Sequence, residues 1–256
     1  MGLGSSRAAE RHRLPEGRRV YAIGDIHGRF DLLEDILQRI DADDRARGPA
    51  ETGLVFLGDL VDRGPDSNGV VERVLRLHQS GRVAAVLTGN HEEVMLDALD
   101  GDLKAARLFT RIGGRETLLS YGVLESVYAE ARLEEIAELV ARYVPARHLD
   151  FLRGFDDLHR EGDYLFVHAG IRPRVPLEEQ EVQDLRWIRG EFLTYRGAHE
   201  AMIVHGHSIT EEVDERPNRI GIDTGAYASG RLTAIGLEGD ARWYVTSSVE
   251  SAVAAG

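Results

Sequence analysis

The chain has 256 residues, of which 43% are hydrophobic, a formal net charge of −13 and no cysteine. Its length and apolar content predict one domain with a substantial core. The negative charge argues against nucleic acid or a membrane surface as a partner, and the lack of cysteine excludes disulfides and thiolate metal ligands. Since no apolar run approaches the roughly 18 residues of a membrane span, we expect a cytoplasmic monomer.

The first half of the chain repeats one pattern three times. Residues 1–17 lack hydrophobic periodicity, which predicts a flexible tail before a single domain at 18–250. Short apolar strands are then predicted at residues 20–23, 54–57 and 83–87, each followed by a polar loop and a helix with apolar residues at helical spacing. Strand, loop and helix in this order predict βαβ units.

The pattern changes in the middle of the chain. From about residue 100 to 155 the composition is rich in Ala, Leu, Glu and Arg, which predicts a helical insertion beside the site. Strands are predicted again at residues 164–167 and 202–204. Two further strands near 231–237 and 242–247 mix polar and apolar residues, which suits an antiparallel edge or a second sheet.

Polar loops follow the predicted strands at five places, namely residues 24–28, 58–64, 88–92, 168–170 and 205–207. In α/β proteins ligands collect at the carboxyl ends of the strands, where the loops converge. The sequence therefore predicts six side chains at one edge of one sheet: Asp25, His27, Asp59, Asn90, His168 and His207.

The residue types in these loops indicate a metal and phosphate site. Oxygen and imidazole donors without thiolate suit Mn, Fe or Zn. Six donors exceed the needs of one open catalytic metal, so two ions that share a carboxylate fit better. Arg63 follows Asp59 in the same loop, and a guanidinium can hold a phosphate with two parallel hydrogen bonds. Each residue alone also suits an ordinary turn or a buried histidine.

Taken in order, the five loops resemble the signatures of calcineurin-like metallophosphoesterases. The Val-Asp-Arg-Gly sequence at 61–64 resembles the serine/threonine phosphoprotein phosphatase branch in its bacterial and phage form. The resemblance extends from about residue 20 to 237, and residues 113–117 and 223–226 are similar to stretches in bacterial members. It implies an α/β fold, a β-sandwich of mixed sheets flanked by helices with a helical insertion.

The resemblance also implies a dinuclear metal centre. Mn²⁺ is the favoured ion, with Fe or Zn as alternatives. Six residues would bind two divalent ions: Asp25 and His27 the first, Asp59 both, and Asn90, His168 and His207 the second.

Of the catalytic residues implied by the resemblance, Asp62, Arg63 and His91 lie in the same loops, whereas the second arginine follows Trp187 outside them. His91, oriented by Asp62, would protonate the leaving group. Arg189 is the expected second phosphate arginine, with Arg186 as its alternative. The residues that would contact the substrate phosphate are Arg63, Arg189, Asn90 and His91.

These roles predict a metal-dependent phosphomonoesterase that hydrolyses phosphoserine, phosphothreonine or phosphotyrosine in a protein or peptide partner, by direct attack of a metal-bridging hydroxide. The alternative is a hydrolase of dinucleoside polyphosphates such as symmetrical diadenosine tetraphosphate, whose family resembles this chain at the same motifs. The neighbouring Asp62 and Arg63 favour the phosphoprotein substrate. A third hypothesis, an inactive phosphopeptide-binding module, is disfavoured because every expected catalytic position carries a competent residue.

Overall fold

Ten short strands form two five-stranded sheets in the computed structural model, which describes residues 12–248. Eight of these strands have three to six residues, and the two longest follow each other as a hairpin near residue 240. The strands are Arg18–Ile23 (β1), Glu51–Phe56 (β2), Val83–Val86 (β3), Leu158–Glu161 (β4), Tyr164–Val167 (β5), Met202–His205 (β6), Asp214–Arg216 (β7), Arg219–Gly221 (β8), Arg231–Glu238 (β9) and Ala241–Ser248 (β10).

Both sheets are mixed, and each combines three parallel strands with two antiparallel pairings. The first has the order β10-β9-β1-β2-β3, in which β1, β2 and β3 are parallel and β9 runs antiparallel to β1. The second has the order β4-β5-β6-β8-β7, in which β5, β6 and β8 are parallel. Antiparallel β4 and β7 form its two edges.

The two sheets pack face to face, and alternation along β1 shows how. Val20 and Ala22 lie in the apolar layer between the sheets, together with Phe166 and Val204 from the second sheet. Tyr21 and Ile23 point the other way, into the cluster formed with the helices. Successive side chains of a strand point to opposite faces, so β1 is buried on both sides and contains almost no exposed residue.

Helices cover the outer face of the first sheet and, in shorter form, that of the second. Helix α1 illustrates the predicted spacing, because Leu32, Leu33, Ile36 and Leu37 form its buried stripe. The helices of the described chain are Phe30–Arg47 (α1), Ser67–Gln79 (α2), Asn90–Leu99 (α3), Leu103–Ile112 (α4), Gly114–Ser120 (α5), Glu125–Glu130 (α6), Ile136–Tyr143 (α7), Ala146–Arg153 (α8), Val182–Trp187 (α9), Gly190–Thr194 (α10) and Ala226–Ser229 (α11).

The predicted fold class is confirmed: the chain is an α/β protein with two mixed sheets flanked by helices. The placement of the polar loops on a single sheet was wrong. Strands β1, β2 and β3 belong to the first sheet, whereas β5 and β6, which precede His168 and His207, belong to the second. The loops still meet, because the parallel strands of both sheets end at the same edge of the sandwich.

Two other features of the chain bear on the predictions. Helices α4–α8 fill the stretch from Leu103 to Arg153, where the sequence predicts a helical insertion. Leu14 differs from a flexible tail residue, because it is 4% exposed and its N–H donates to the Gly239 carbonyl at 2.9 Å. The predicted tail before residue 12 and the end of the predicted domain, 249–250, lie outside the described residues.

Over 12–248, no helix combines the length and the apolarity needed to cross a bilayer.

Candidate metal and phosphate site

The loops at the shared edge of the two sheets have unusual backbone conformations. Six non-glycine residues between 12 and 248 have positive φ, and five of them are His27 (47°), Asp59 (50°), Asp62 (71°), Arg63 (69°) and His207 (61°). The left-handed region disfavours residues with a Cβ, and such strain concentrates at functional sites. The fold therefore holds these five predicted site residues in conformations that they would not adopt by local preference.

Asp59 is the centre of the site. One carboxylate oxygen, Oδ2, lies 3.4 Å from His27 Nε2 and 3.9 Å from His91 Nε2, while Oδ1 lies 3.5 Å from His168 Nε2. Potential ligand atoms consequently form two compact groups that share this carboxylate, one with His27 and His91 and one with His168 and His207. Asp59 itself is 2% exposed. The arrangement would allow two ions to share one carboxylate, and this sharing stays a prediction.

Backbone carbonyls fix which ring nitrogen each histidine presents. His27 Nδ1 donates to the Val61 carbonyl at 2.8 Å, and His168 Nδ1 donates to the Leu57 carbonyl at 2.7 Å. Burial lowers the pKa of His27 to about 3 and also lowers the pKa of His168, which favours the neutral form of both rings. Each therefore presents an unprotonated Nε2, which is the form that binds a metal ion.

In the second group, neither His168 Nε2 nor His207 Nε2 faces a hydrogen-bond donor among the described residues. The Nε2 lone pair of His168 faces the Oδ1 lone pairs of Asn90 at 3.1 Å. His207 Nε2 is buried and has no hydrogen-bond partner among the described residues. Buried polar atoms normally have partners. A divalent cation would satisfy all three atoms, so the residues present fit a metal ion.

Asp25 lies beside the second group but outside the tight clusters. Its two carboxylate oxygens accept the His207 backbone N–H at 3.2 and 3.0 Å. Burial, reinforced by the neighbouring Asp223 and Asp59, raises the pKa of Asp25. Burial also raises the pKa of Asp223 to about 6. Since buried carboxylates are costly unless paired or bound to metal, this cluster of acids also fits bound cations.

Glu92 holds the Asp59 loop in place. Its carboxylate accepts the backbone N–H groups of Asp59 (2.9 Å), Leu60 (2.8 Å) and Gly89 (3.0 Å), and it is fully buried. The side chain thereby ties the loop after β2 to the N-terminus of α3. Sequence reasoning assigned no role to Glu92, although it directly follows His91.

His91 is connected to the helical insertion through Asp62. His91 Nδ1 donates to Asp62 Oδ2 at 2.7 Å, and Asp62 Oδ1 accepts the Thr117 hydroxyl at 2.7 Å. Burial acts to lower the pKa of His91, but the Asp59 and Asp62 carboxylates outweigh it and the pKa is raised. The two carboxylates thus favour the charged form of the ring, whose Nε2 lies 3.9 Å from Asp59 Oδ2.

The arginines of the site differ in how they are engaged. Arg63 Nη1 donates to His27 Nε2 at 2.9 Å, so the guanidinium lies next to a potential metal ligand. Arg189 donates to Ser208 at 3.3 Å, beside His207. Arg186, in contrast, is held by Glu93 at 3.1 Å and by Asp157 at 2.6 Å. The geometry therefore favours Arg189 over Arg186 as a second arginine available to phosphate.

A family model matches residues 18–230 of this chain, and its description is calcineurin-like phosphoesterase. The chain belongs to the calcineurin-like phosphoesterase family. Membership implies divalent metal ions at the site, and the two groups around Asp59 supply suitable donors.

Curated relatives with named activities support the same family. The chain is 33% identical over 184 residues to a symmetrical bis(5'-nucleosyl)-tetraphosphatase of Acidovorax sp. strain JS42, covering 72% of this chain and 51% of that one. It is 33% identical over 154 residues to the enzyme of the same name from Dechloromonas aromatica, covering 60% of this chain and 44% of the relative. The chain thus spans about half the length of these two relatives.

A third curated relative is covered more completely. The asymmetrical bis(5'-nucleosyl)-tetraphosphatase PrpE of Anoxybacillus flavithermus is 30% identical over 237 residues, covering 83% of this chain and 88% of the relative. Among solved structures, a putative diadenosine tetraphosphatase superimposes with a TM-score of 0.61 at 24% identity, covering 90% and 93% of the two chains. A cold-active protein tyrosine phosphatase of a Shewanella species superimposes with a TM-score of 0.56 at 20% identity, covering 93% and 84%. These two structural similarities show the fold.

Several residues of this phosphoesterase site were not assigned roles from the sequence. Thr117 and Asp223 lie in the stretches 113–117 and 223–226, which were noted only for their similarity to bacterial members. No sequence pattern predicted a role for Ser208 or Tyr227. Ser208 contacts Arg189 and Tyr227 contacts Arg63, and each contact joins different segments of the chain. All six predicted metal ligands, by contrast, lie together at the shared edge of the sandwich.

Proposed function

We propose that this phosphoesterase hydrolyses the polyphosphate chain of dinucleoside tetraphosphates, symmetrically, to two nucleoside diphosphates. The observation that carries the chemistry is the buried Asp59 carboxylate shared by two groups of imidazoles, with Arg63 beside one of them. The names of the curated relatives support this substrate. They favour it over the phosphoprotein that the neighbouring Asp62 and Arg63 suggested, although a phosphoprotein remains the substrate to test against it.

The metal ions would be held by this chain's own buried donors. One ion would be bound by His27, and the other by Asn90, His168 and His207. Asp59 would bind both ions. Asp25 is the remaining predicted ligand. When bound, two such ions polarise a phosphoryl oxygen and make water acidic enough to act as a nucleophile near neutral pH.

The guanidinium groups would bind and orient the phosphate. Arg63 lies at the His27 side of the centre and Arg189 at the His207 side. A planar guanidinium can donate two parallel hydrogen bonds to phosphoryl oxygens. Two arginines on opposite sides would therefore hold a phosphoryl group over the Asp59 carboxylate.

His91 would supply a proton to the departing group. The imidazole is oriented by Asp62 at 2.7 Å. The carboxylates of Asp59 and Asp62 favour its charged form. A nucleoside diphosphate leaves more readily than an alkoxide, so the proton matters less for the tetraphosphate than for a serine ester. The same site would accordingly cleave anhydrides with less dependence on His91 than esters.

The net charge of −13 does not prevent binding of a polyanion. Surface charges are screened beyond about 8–10 Å at physiological ionic strength. Two divalent ions with Arg63 and Arg189 would exceed the charge of the Asp25 and Asp59 carboxylates. The local field at the site would therefore be positive.

Product analysis together with initial-rate kinetics tests the proposal. Purified protein with Mn²⁺ is given diadenosine tetraphosphate or a phosphoserine peptide at equal concentration, and products are separated by anion-exchange chromatography. We expect ADP as the sole nucleotide product and a kcat/KM at least tenfold above that for the peptide. AMP and ATP as products would contradict symmetrical cleavage, and faster release of phosphate from the peptide would restore the phosphoprotein hypothesis. Asp59→Asn provides the inactive control.

A further inference from the structure

A cavity of about 570 Å³ adjoins the site on the side of Arg63. We call it the Tyr227 pocket. Its volume lies within the roughly 300–1,000 Å³ of pockets that bind small organic ligands. None of the proposed metal ligands lines it, so it is a separate compartment next to the reacting centre. Its walls include Phe30, Arg63, Pro65, Asp31, Asp66 and Tyr227.

The Tyr227 ring joins the pocket to the metal centre. Its centroid lies 5.4 Å from that of the His27 ring in an edge-on arrangement, and the Arg63 guanidinium carbon lies 4.5 Å from the ring centroid. The residue is nevertheless 37% exposed, which makes Tyr227 one of the few large aromatic residues open to solvent among residues 12–248. A ligand that extends from the phosphate position past Arg63 would therefore meet this ring.

The wall that carries Tyr227 is held in place by Arg29. One guanidinium nitrogen of Arg29 donates to the Ala226 carbonyl at 2.8 Å, and two others donate to Asp31 at 2.9 and 2.6 Å. These bonds fasten the start of α11, which carries Tyr227, to the first turn of α1. The aromatic surface is consequently positioned before a ligand arrives, which reduces the entropy lost on binding.

The charges along the pocket change sign with distance from the site. Arg63 lies beside His27, whereas the other charged wall residues are Asp31, its partner Arg29, and Asp66. Asp66 also accepts the Gly69 N–H at 2.7 Å, as the N-cap of α2. Away from Arg63, two carboxylates against the single Arg29 guanidinium give a net negative charge, so a polyphosphate would bind at Arg63 rather than in the outer part. A neutral group with hydroxyl and amino donors fits the outer part, because carboxylates accept hydrogen bonds from such donors.

We infer that the Tyr227 pocket binds a nucleoside end of the substrate, with the base against the Tyr227 ring and the adjoining phosphates at Arg63. This inference rests on the proposed function and names the residue that would recognise the nucleoside. Stacking between a base and an aromatic side chain tolerates any base. The pocket would thus select for a nucleotide over a bare phosphate ester without specifying adenine.

Inhibition by two diphosphates tests the inference without requiring cleavage of a tetraphosphate. Hydrolysis of p-nitrophenyl phosphate by the Mn²⁺-loaded protein serves as the reporter, and inhibition constants are measured for ADP and for inorganic pyrophosphate. The variants are Tyr227→Ala and Tyr227→Phe. Tyr244→Ala is the matched control, because Tyr244 is 38% exposed on β10, away from the pocket.

We expect Tyr227→Ala to weaken ADP on the order of tenfold, as loss of one base-stacking contact would. Pyrophosphate should bind equally well to all variants, and Tyr227→Phe and Tyr244→Ala should bind ADP like the wild type. An unchanged ADP constant in Tyr227→Ala would overturn the inference, as would wild-type protein that binds ADP no better than pyrophosphate.

Failure of the proposed function would be recognised separately. The wild-type protein could fail to cleave diadenosine tetraphosphate while Tyr227→Ala still weakens ADP binding. That outcome would contradict the tetraphosphate proposal and support the nucleoside subsite. A phosphopeptide that loses affinity in Tyr227→Ala, with ADP unaffected, would assign the pocket to a peptide and overturn the inference.

Discussion

Thr117 lies 55 residues beyond Asp62 in the chain, yet its hydroxyl donates to Asp62 Oδ1 at 2.7 Å. The same hydroxyl accepts the Asp62 backbone N–H at 2.8 Å. Asp62 and Thr117 are both fully buried. Since Asp62 orients His91, the helical insertion contributes directly to the position of the proposed general acid.

Replacing Thr117 tests this connection. Thr117→Val keeps the shape of the side chain but removes the hydroxyl, so a buried carboxylate oxygen loses its donor. We expect a loss of about 1–3 kcal/mol in the free energy of unfolding. We also expect a fall in kcat that stays below the roughly 100-fold lower bound of general acid catalysis. Denaturant unfolding and steady-state kinetics measure the two effects.

Two further substitutions distinguish a specific role from general damage to the insertion. Thr117→Ser restores a hydroxyl and should recover most of the kcat. Thr110→Val removes an exposed hydroxyl of α4 that bonds only to the Arg107 carbonyl, and should change neither quantity. If Thr117→Val reduces stability but leaves kcat at the wild-type value, Thr117 is structural and does not position His91.

The shared carboxylate predicts the behaviour of both metal ions together. Asp59→Asn should lower the bound metal from two equivalents to less than one, because the carboxylate contributes to both groups. Activity should be lost, while the unfolding temperature measured without metal changes little. Plasma emission spectroscopy of dialysed protein gives the metal content, with the exposed Asp150→Asn as the control. Retention of two equivalents would show that Asp59 is not the shared ligand.

The contacts of the arginines predict a graded series of effects. Arg63→Lys and Arg189→Lys keep the charge but lose the planar two-point donor. We expect each to reduce kcat/KM by about ten- to hundredfold, the equivalent of about 1.5–3 kcal/mol for hydrogen bonds to a charged group. Arg186→Lys should have a much smaller effect, because Glu93 and Asp157 already hold Arg186. A larger loss for Arg186→Lys than for Arg189→Lys would reverse the assignment.

The leaving group decides how much the His91 proton contributes. His91→Gln should reduce kcat on the order of 100-fold with phenyl phosphate, within the range of general acid catalysis. With p-nitrophenyl phosphate, whose phenolate leaves without a proton, the loss should be far smaller. Equal losses on both substrates, accompanied by less bound metal, would instead make His91 a metal ligand, as its place in one of the two groups allows.

A carboxylate away from the site predicts the pH dependence of stability. Hydrogen bonds from His148, Arg147 and Arg76 lower the pKa of Glu72 from 4.5 to about 2. The folded protein therefore favours the charged form more than the unfolded chain does. The resulting stabilisation is complete above about pH 4.5 and is lost as the pH falls towards about 2.

Glu72→Gln should remove this stabilisation. Its unfolding temperature should lie below that of the wild type at pH 7, and the difference should shrink between pH 5 and pH 3. Differential scanning calorimetry at several pH values measures the trend. Glu138→Gln, which removes an exposed carboxylate of α7, is the control. A difference that grows on acidification would mean that Glu72 does not carry the effect.

Local sequence determined the identity of many of the elements and of the candidate metal ligands. Apolar runs followed by Gly, Asp, Asn or His predicted β1, β2 and β3 with their loops, and helical spacing predicted α1 and α2. These patterns are local because strand and helix periods depend on neighbouring residues. The types of donor atom, and hence the metal and phosphate chemistry, could be named on the same basis.

Only the tertiary structure decided how distant segments meet. It placed His168 and His207 directly after strands of a second sheet, whose inner face is buried against that of the first. It paired Arg186 with Glu93 and left Arg189 beside Ser208, which distinguishes the two arginines. It also brought Thr117 and Tyr227 to the site. Contacts of this kind depend on packing between elements far apart in the chain, which no local period records.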